Sequence, residues 1–383
     1  MKTTPLVSVI VNNYNYAHFL ADAIDSALAQ AYAPLEVVVV DDGSTDESRD
    51  VIAGYGDRVI PVFKENGGQA SAFNAGFAAS RGDVVIFVDA DDMLLPHTVA
   101  TAVSLFSPAV VKVHWPLWEI DRDGARTGII HPSRTLDAGD LREKSVVEGP
   151  LVGGSPPTSG NAWSRTLLQQ ILPIPEEEFR INADGYLFTL SWIYGEVRAI
   201  PEPLGHYRVH GANHFASKTV EERRVRHLEK FVHQCTALER HLRASGVEPR
   251  PVVWRARKGI YDAEVRAATT EELSRCIGAD TPFILMDDNQ WSDPTAASSI
   301  PGRSIPFLER DGVYWGRPAD DATAIRELDR LRDAGAELLV VPWFAFWWLT
   351  SYPTFGQYIT DTCSLAESNA FFTLYDLRCA LPK

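Results

Sequence analysis

Three carboxylates fall within four residues at Asp89-Ala90-Asp91-Asp92, directly after an apolar run at 84–88. Carboxylates this close repel one another and resist ionisation unless a compensating charge is present. Mg2+ or Mn2+ supplies that charge, because either ion binds carboxylate and phosphate oxygens and commonly bridges the two. The plainer alternative is a solvated turn, or a helix N-cap ahead of Pro96. A second acidic turn, Asp41-Asp42-Gly43-Ser44, closes the apolar run at 35–40. It reads either as an Asx-turn ending a strand or as an aspartate placed to accept a hydrogen bond from a base or ribose edge. Asn12, Asn13, Tyr14 and Asn15 follow a third apolar run, at 6–11.

The elements that must carry these residues alternate. Strand-like runs at 6–11, 35–40, 58–63 and 84–88 are separated by helical spacing. Phe19, Leu20, Ala23, Ile24, Ala27 and Leu28 recur with that period, and a helix is expected over 70–80 and from about Asp46, with Ser44 and Thr45 as further capping oxygens. Strands alternating with helices at this distance predict a parallel sheet covered on both faces, with its ligand crevice at the carboxyl ends of the strands. The three polar clusters sit at those ends. Beyond them the pattern loosens: a strand at 110–115, a hairpin turn at 121–124, a loop at 155–160 and a buried helix at 186–194. A charged helix over 220–243, with Val225, Leu228, Phe231 and Val232 on one face, reads as a connector packed on the first domain.

Taken in order, Val7-Ser8-Val9-Ile10-Val11-Asn12-Asn13-Tyr14-Asn15, Val39-Val40-Asp41-Asp42-Gly43-Ser44-Thr45-Asp46, Asn66-Gly67-Gly68, Ala72-Phe73-Asn74-Ala75-Gly76, Gly82-Asp83 and Val88-Asp89-Ala90-Asp91-Asp92 closely resemble glycosyltransferase family 2, over about residues 5–215. The resemblance implies the GT-A fold, a doubly wound, Rossmann-like α/β sheet that binds a nucleoside-diphosphate sugar, and an inverting transfer. It implies that Asn12 and Tyr14 line the nucleotide pocket and that Asp42 reads the base, with Asp41 close by. Asp89, Asp91 and Asp92 then hold the ribose–diphosphate and a Mn2+ or Mg2+ ion, with Asp91 and Asp89 as metal ligands. His210 is the further metal or phosphate contact and Arg208 the second donor contact; His206, His210 and His214 read equally as loop histidines. The family's base is an aspartate at the start of a helix, often in a Glu-Asp pair. The matching stretch, Arg180-Ile181-Asn182-Ala183-Asp184-Gly185-Tyr186, makes Asp184 the catalytic candidate, with Ala183 in place of the glutamate. Ser159-Gly160-Asn161-Ala162-Trp163 resembles the acceptor-side segment, so Trp163 is either a platform for an acceptor sugar or a core residue. The Gln-x-x-Arg-Trp element of processive members is absent, which favours transfer of one sugar at a time to a glycan or glycolipid acceptor.

Residues 265–383 predict a small α/β domain after a helical connector at 216–264, with the donor domain at 1–215. Strands are expected at 283–286, 337–341 and 372–377, and a helix at 321–334 with Ala324, Ile325, Leu328 and Leu331 inward. Trp315, Trp343, Trp347 and Trp348 either grip a glycan or partner or form this domain's core; Asp287-Asp288 is a turn or a second site. The formal net charge of -15 disfavours nucleic-acid binding. Cys235, Cys276, Cys363 and Cys379 are too scattered for a metal motif and read as reduced thiols. No leader or membrane span is expected, which points to the cytoplasm, with peripheral association with a membrane-bound acceptor as an option. The competing function is a non-catalytic sugar-nucleotide or glycan-binding module. A nucleotidyltransferase is disfavoured, because 12–16 lacks the glycine and basic residues that would cradle a triphosphate.

Overall fold

The computed structural model describes residues 4–151, 155–210, 220–258, 263–287, 291, 300 and 302–378. In the helices that start at Val220 and Ala263, side chains are described from residues 227 and 265 onward. His214, Asp288 and Cys379, named above, lie outside the described residues, as does the side chain of Val225. Two compact units divide the chain, Met1–Pro249 and Arg250–Lys383.

The first unit runs β1 (Val7–Asn13), α1 (Ala17–Leu28), β2 (Leu35–Asp42), α2 (Ser48–Ala53), β3 (Ile60–Lys64), α3 (Gln69–Ala79), β4 (Val84–Asp89), β5 (Met93–Leu94), α4 (Thr98–Ser104) and β6 (Val110–His114). It continues with β7 (Leu117–Ile120), β8 (Arg126–His131), α5 (Arg142–Glu148), β9 (Asn161–Ser164), α6 (Arg165–Ile171), α7 (Ala183–Tyr194), β10 (Glu196–Ala199), β11 (Gly205–Arg208) and α8 (Val220–Ala244). A seven-stranded sheet has the order β10-β6-β9-β4-β1-β2-β3, and a four-stranded sheet the order β5-β11-β7-β8. β1, β2 and β4 are apolar without alternation because helices cover both faces; residues 37–40 and 84–88 are at most 2 % exposed.

β1 pairs in parallel with β2 on one side and β4 on the other. The register sets Asn12 opposite Val40 and Asp89, and Asn13 opposite Asp41. The polar strand ends therefore stand level, at the point where strand order reverses and such sheets leave a crevice. Gly76 lets α3 pack close on the sheet, since a Cβ there would run into Ile10 and Val40.

Three local expectations are corrected. The second helix starts at Ser48, two residues after Asp46, whose Oδ1 accepts from the Ser48 N–H at 3.1 Å while its Oδ2 accepts from the Ala17 N–H at 2.9 Å, at the start of α1. The loop at 155–160 ends in a 3-10 turn, Thr158–Gly160, which leads into the unexpected strand β9. β9 pairs antiparallel with both β4 and β6 and brings that turn to the end of β4. On α8 the buried stripe is Phe231, Cys235, Leu238 and Leu242, at helical spacing, whereas Val232 is exposed.

The second unit holds β12 (Pro282–Leu285), β13 (Arg303–Pro306), β14 (Glu309–Arg310), β15 (Val313–Tyr314), β16 (Leu338–Pro342), β17 (Ser364–Ser368) and β18 (Phe372–Asp376). Five of these form a mixed sheet in the order β13-β12-β16-β18-β17. The helix Asp321–Asp333 buries Ala324, Leu328 and Leu331, with Ile325 packed at the edge of the same core. Trp348 is fully buried, whereas Trp315 is 60 % exposed beneath the Arg310 guanidinium, 3.8 Å from its ring centre. Asp287 is buried and accepts from the Trp291 N–H at 2.8 Å, as a turn residue does. Cys235, Cys276 and Cys363 form no disulfide among the described residues. Among the described residues no helix is long and apolar enough to cross a membrane.

Candidate active site

A cavity of about 510 Å3 opens at the strand ends of the first unit, lined among others by Asn12, Tyr14, Asp42, Asp89, Asp91 and Asp184. Residues from β1, β2, β4 and α7, far apart in sequence, share its wall.

The β1 and β2 ends are stitched together. The Asn13 side-chain N–H donates to Asp41 Oδ1 at 3.2 Å and to Ser44 Oγ at 3.1 Å. Asp41 also accepts from Arg49 Nε at 2.9 Å and has no exposed surface. It does not line the cavity, so its expected place beside the base is corrected: successive strand residues point to opposite faces, and Asp42 takes the cavity side. Asp42 accepts from Lys64 Nζ at 2.6 Å, Gly67 N at 2.9 Å, Gly68 N at 2.7 Å and Asn66 Nδ2 at 3.2 Å. Those donors come from β3 and the Asn-Gly-Gly turn, so Asp42 shapes the floor of the cavity. Gly68 meets the turn with φ +86, where a Cβ would press on Arg180.

At the end of β4 the acidic residues divide into two roles. Asp89 and Asp91 line the cavity. Burial, then the charges of Asp91 and Asp184, push the Asp89 carboxyl up to about 8, against hydrogen bonds from Thr158 and Gln69. Burial also raises Asp91, while His210 pulls it back. His210 Nε2 lies 3.1 Å from Asp91 Oδ2, and its ring packs 4.8 Å from that of Phe19.

Asp92 is 1 % exposed and faces away from the cavity. It accepts from Ser159 Oγ at 2.7 Å and from the Arg208 N–H at 3.0 Å. The expected donor contact of Asp92 is corrected to a clamp between β4, the 158–160 turn and β11. Arg208 is corrected likewise. Its guanidinium is buried, donates to the Asp91 and Arg122 carbonyls at 3.0 and 2.9 Å and to Asp22 Oδ2 at 2.8 Å, and does not line the cavity. Its work is to fix the backbone that presents Asp91.

Asp184 is the second residue of α7 and faces the cavity. Its Oδ1 accepts its neighbour Gly185's N–H at 2.8 Å, and Thr158 Oγ1 lies 3.5 Å from Oδ2, at the limit of a hydrogen bond. Burial raises its pKa, with Lys230 of α8 the leading opposing charge. Gln69 ties the start of α7 to α3, its Oε1 accepting from the Ala183 N–H at 3.0 Å.

Trp163 does not reach the cavity. It is 1 % exposed and stacks on Phe188 with ring centres 5.9 Å apart, so the acceptor platform gives way to the core reading. Sequence reasoning missed Gln69, Thr158 and Lys230, all of which line the cavity. The first two flank motifs that were noticed, so their signal was proximity; Lys230 sits in a mixed-charge helix and carried none.

The donor set suits a hard divalent ion. Asp91 and Asp89 offer carboxylate oxygens beside an imidazole, and burial raises both carboxyls, a cost that a bound divalent ion would offset. Among the described residues no three carboxylate, imidazole or thiol groups enclose an ion unaided, so an ion held here would need further oxygen ligands from water or phosphate.

The profile of Glycosyl transferase family 2 matches residues 8–139. An uncharacterized glycosyltransferase of Nostoc sp. is 38 % identical over 230 residues, 55 % of this chain and 67 % of that protein. One from Rickettsia prowazekii is 39 % identical over 104 residues, 27 % of this chain, which spans only 33 % of that relative's length. Among solved structures, the mannosyltransferase PcManGT from Pyrobaculum calidifontis, in complex with GDP-Man and Mn2+, aligns with a TM-score of 0.44 at 19 % identity, over 94 % of this chain and 84 % of that one. With two thirds of the Nostoc protein matched at that identity, and acidic strand ends meeting at the switch point of a doubly wound sheet, the chain belongs to glycosyltransferase family 2 and is a glycosyltransferase.

Proposed function

We propose that the first unit moves one sugar at a time, with inversion, from a nucleoside-diphosphate sugar to a hydroxyl of a glycan or glycolipid in the synthesis of surface polysaccharide or glycoconjugate. A UDP-sugar is the donor to test first. The reaction runs in the cytoplasm, on a soluble acceptor or on one held at the inner membrane face. The observation that carries this reading is the meeting of Asp42, Asp89, Asp91 and Asp184 in one cavity.

Asn12, Tyr14 and the Asp42 floor receive the nucleoside, and Asp89 and Asp91 face the diphosphate. Asp91 and Asp89, with His210, would hold Mn2+ or Mg2+, which supplies positive charge against a departing diphosphate. Asp184 takes the proton of the acceptor hydroxyl as the new C–O bond forms. Its half-buried site supports that role, because desolvation makes a carboxylate more basic. Arg208 and Asp92 hold the backbone of Asp91 in place from behind.

The test is a thermal-shift screen of UDP-, GDP- and dTDP-sugars with and without Mn2+. The proposal expects one nucleotide class to raise the melting temperature, and to do so only with the ion. No shift from any sugar nucleotide would reject it.

A further inference from the structure

Lys112, in the middle of β6, has no exposed surface, and its Nζ has no hydrogen-bond partner. What surrounds the Nζ is aromatic. It lies 4.5 Å from the ring centre of Phe188, 4.5 Å from that of Trp192 and 5.0 Å from that of Trp163. Ring faces attract a desolvated cation. A bare ammonium is nonetheless costly to bury, and methionine would fill the same space without that cost. Packing therefore does not account for a lysine at this position.

The cage is built by the helix that carries the candidate base. Asp184, Phe188 and Trp192 recur at four-residue spacing along α7, which puts them on one face. The carboxylate at the cavity and the rings that hold the ammonium thus form one stripe. Burial drives the Lys112 amine well down, and Asp184 is the charge that pulls it back up. The other ionisable groups around the pair are His114 on β6, which burial brings down to about 2 and so keeps neutral, Lys230 on α8 and Asp89 at the end of β4.

We propose that Lys112 is a positioning residue for Asp184: its caged ammonium is a buried counter-charge set against the helix face that carries the carboxylate, and it steadies α7 beneath the cavity. This rests on Asp184 being the base of the proposed reaction. Lys112 acts through Asp184 and keeps its own proton; the proton of the acceptor goes to Asp184.

The experiment is NMR of the Lys112 side chain in the full chain labelled with 15N-lysine, assigned by its loss in Lys112→Met. The expected result is an ammonium resonance at pH 7, shifted by the three rings. In Asp184→Asn its titration midpoint should fall by about one pH unit or more, a tenfold change in proton affinity. Coupling is mutual, so that shift also measures what Lys112 does to Asp184. A neutral amine at pH 7, or an unchanged midpoint in Asp184→Asn, overturns the proposal. Melting of Lys112→Met is the second arm. Replacing a buried charge by an apolar side chain of similar volume is neutral or stabilising, so its melting temperature should equal or exceed that of the wild type; a clear fall would return Lys112 to a packing role. The NMR needs no donor. Normal turnover of Asp184→Asn would therefore reject the base assignment and leave the coupling measurement standing, and an unchanged midpoint would reject the coupling whatever the turnover.

Discussion

Asp184→Asn separates chemistry from architecture. The asparagine keeps the size of the side chain and can still accept from the Gly185 N–H and from Thr158. What it loses is the ability to take a proton, and removing a positioned base typically costs about 10²–10⁴-fold in rate. Stability should fall by no more than about 1–2 kcal/mol: the Lys112 ammonium loses its counter-charge, worth about 1.4 kcal/mol per pH unit of midpoint shift, and two smaller effects oppose. A negative charge in the first turn of α7 is worth roughly 0.3–1 kcal/mol against the helix dipole, and that is lost. Against it, burial raises the Asp184 pKa in the folded state. Its ionisation therefore destabilises the fold progressively as pH rises above the unfolded carboxylate value of about 4. Removing the charge restores that loss at neutral pH. Donor affinity should stay within about twofold of wild type, since the donor-facing carboxylates Asp89 and Asp91 belong to β4 and the loop after it. The assay is nucleotide release with the donor found by thermal shift, read beside calorimetry of the nucleotide and a melting curve. Near wild-type turnover with unchanged melting would refute the argument and leave Asp184 as a helix-end residue.

In EDTA the melting temperature should fall as pH rises from about 4 toward 8. The Asp89 carboxyl is neutral in the fold up to about 8, so its stabilising contribution is complete below the unfolded pKa and gone above the folded one; Asp89→Asn should flatten the slope, and a slope that persists unchanged would count against it. Arg208→Lys, which cannot span Asp22, Arg122 and Asp91 together, should weaken Mn2+-dependent nucleotide binding and lower the melting temperature at once; a variant that loses affinity with no change in melting would make Arg208 a donor contact after all. Trp163→Phe should cost stability, about 1–3 kcal/mol for a core change of this size, while leaving the acceptor KM unchanged; a raised KM with normal melting would reinstate the acceptor platform. A chain ending at Pro249 should still bind nucleotide, because every residue proposed to face the donor precedes it; a folded fragment without binding would show that the second unit completes the site.

The first ninety residues were readable because buried parallel strands are apolar runs and their polar ends are abrupt. The same cues place Asn12, Asp42, Asp89 and Asp91 at one edge. What they do not give is the facing of neighbours: Asp41 and Asp42, or Asp91 and Asp92, are adjacent carboxylates that point opposite ways, and only the register and the partners on Arg49, Ser159 and β11 decide which one sees the cavity. β9 was illegible for another reason. Asn-Ala-Trp-Ser is short and half polar, and it is a strand only because β4 and β6 flank it. Lys112, within Val-Val-Lys-Val, looks like one polar break in a strand until the three rings around it are seen.

Calorimetry of UDP binding tests the central claim most directly, that Asp89 and Asp91 receive a nucleoside diphosphate together with a divalent ion. The account predicts heat of binding in Mn2+, its loss in EDTA, and its loss in Asp91→Asn with Mn2+ present while the variant melts as the wild type does. Equal affinity for UDP in Mn2+ and in EDTA, or an unaffected Asp91→Asn, would contradict it.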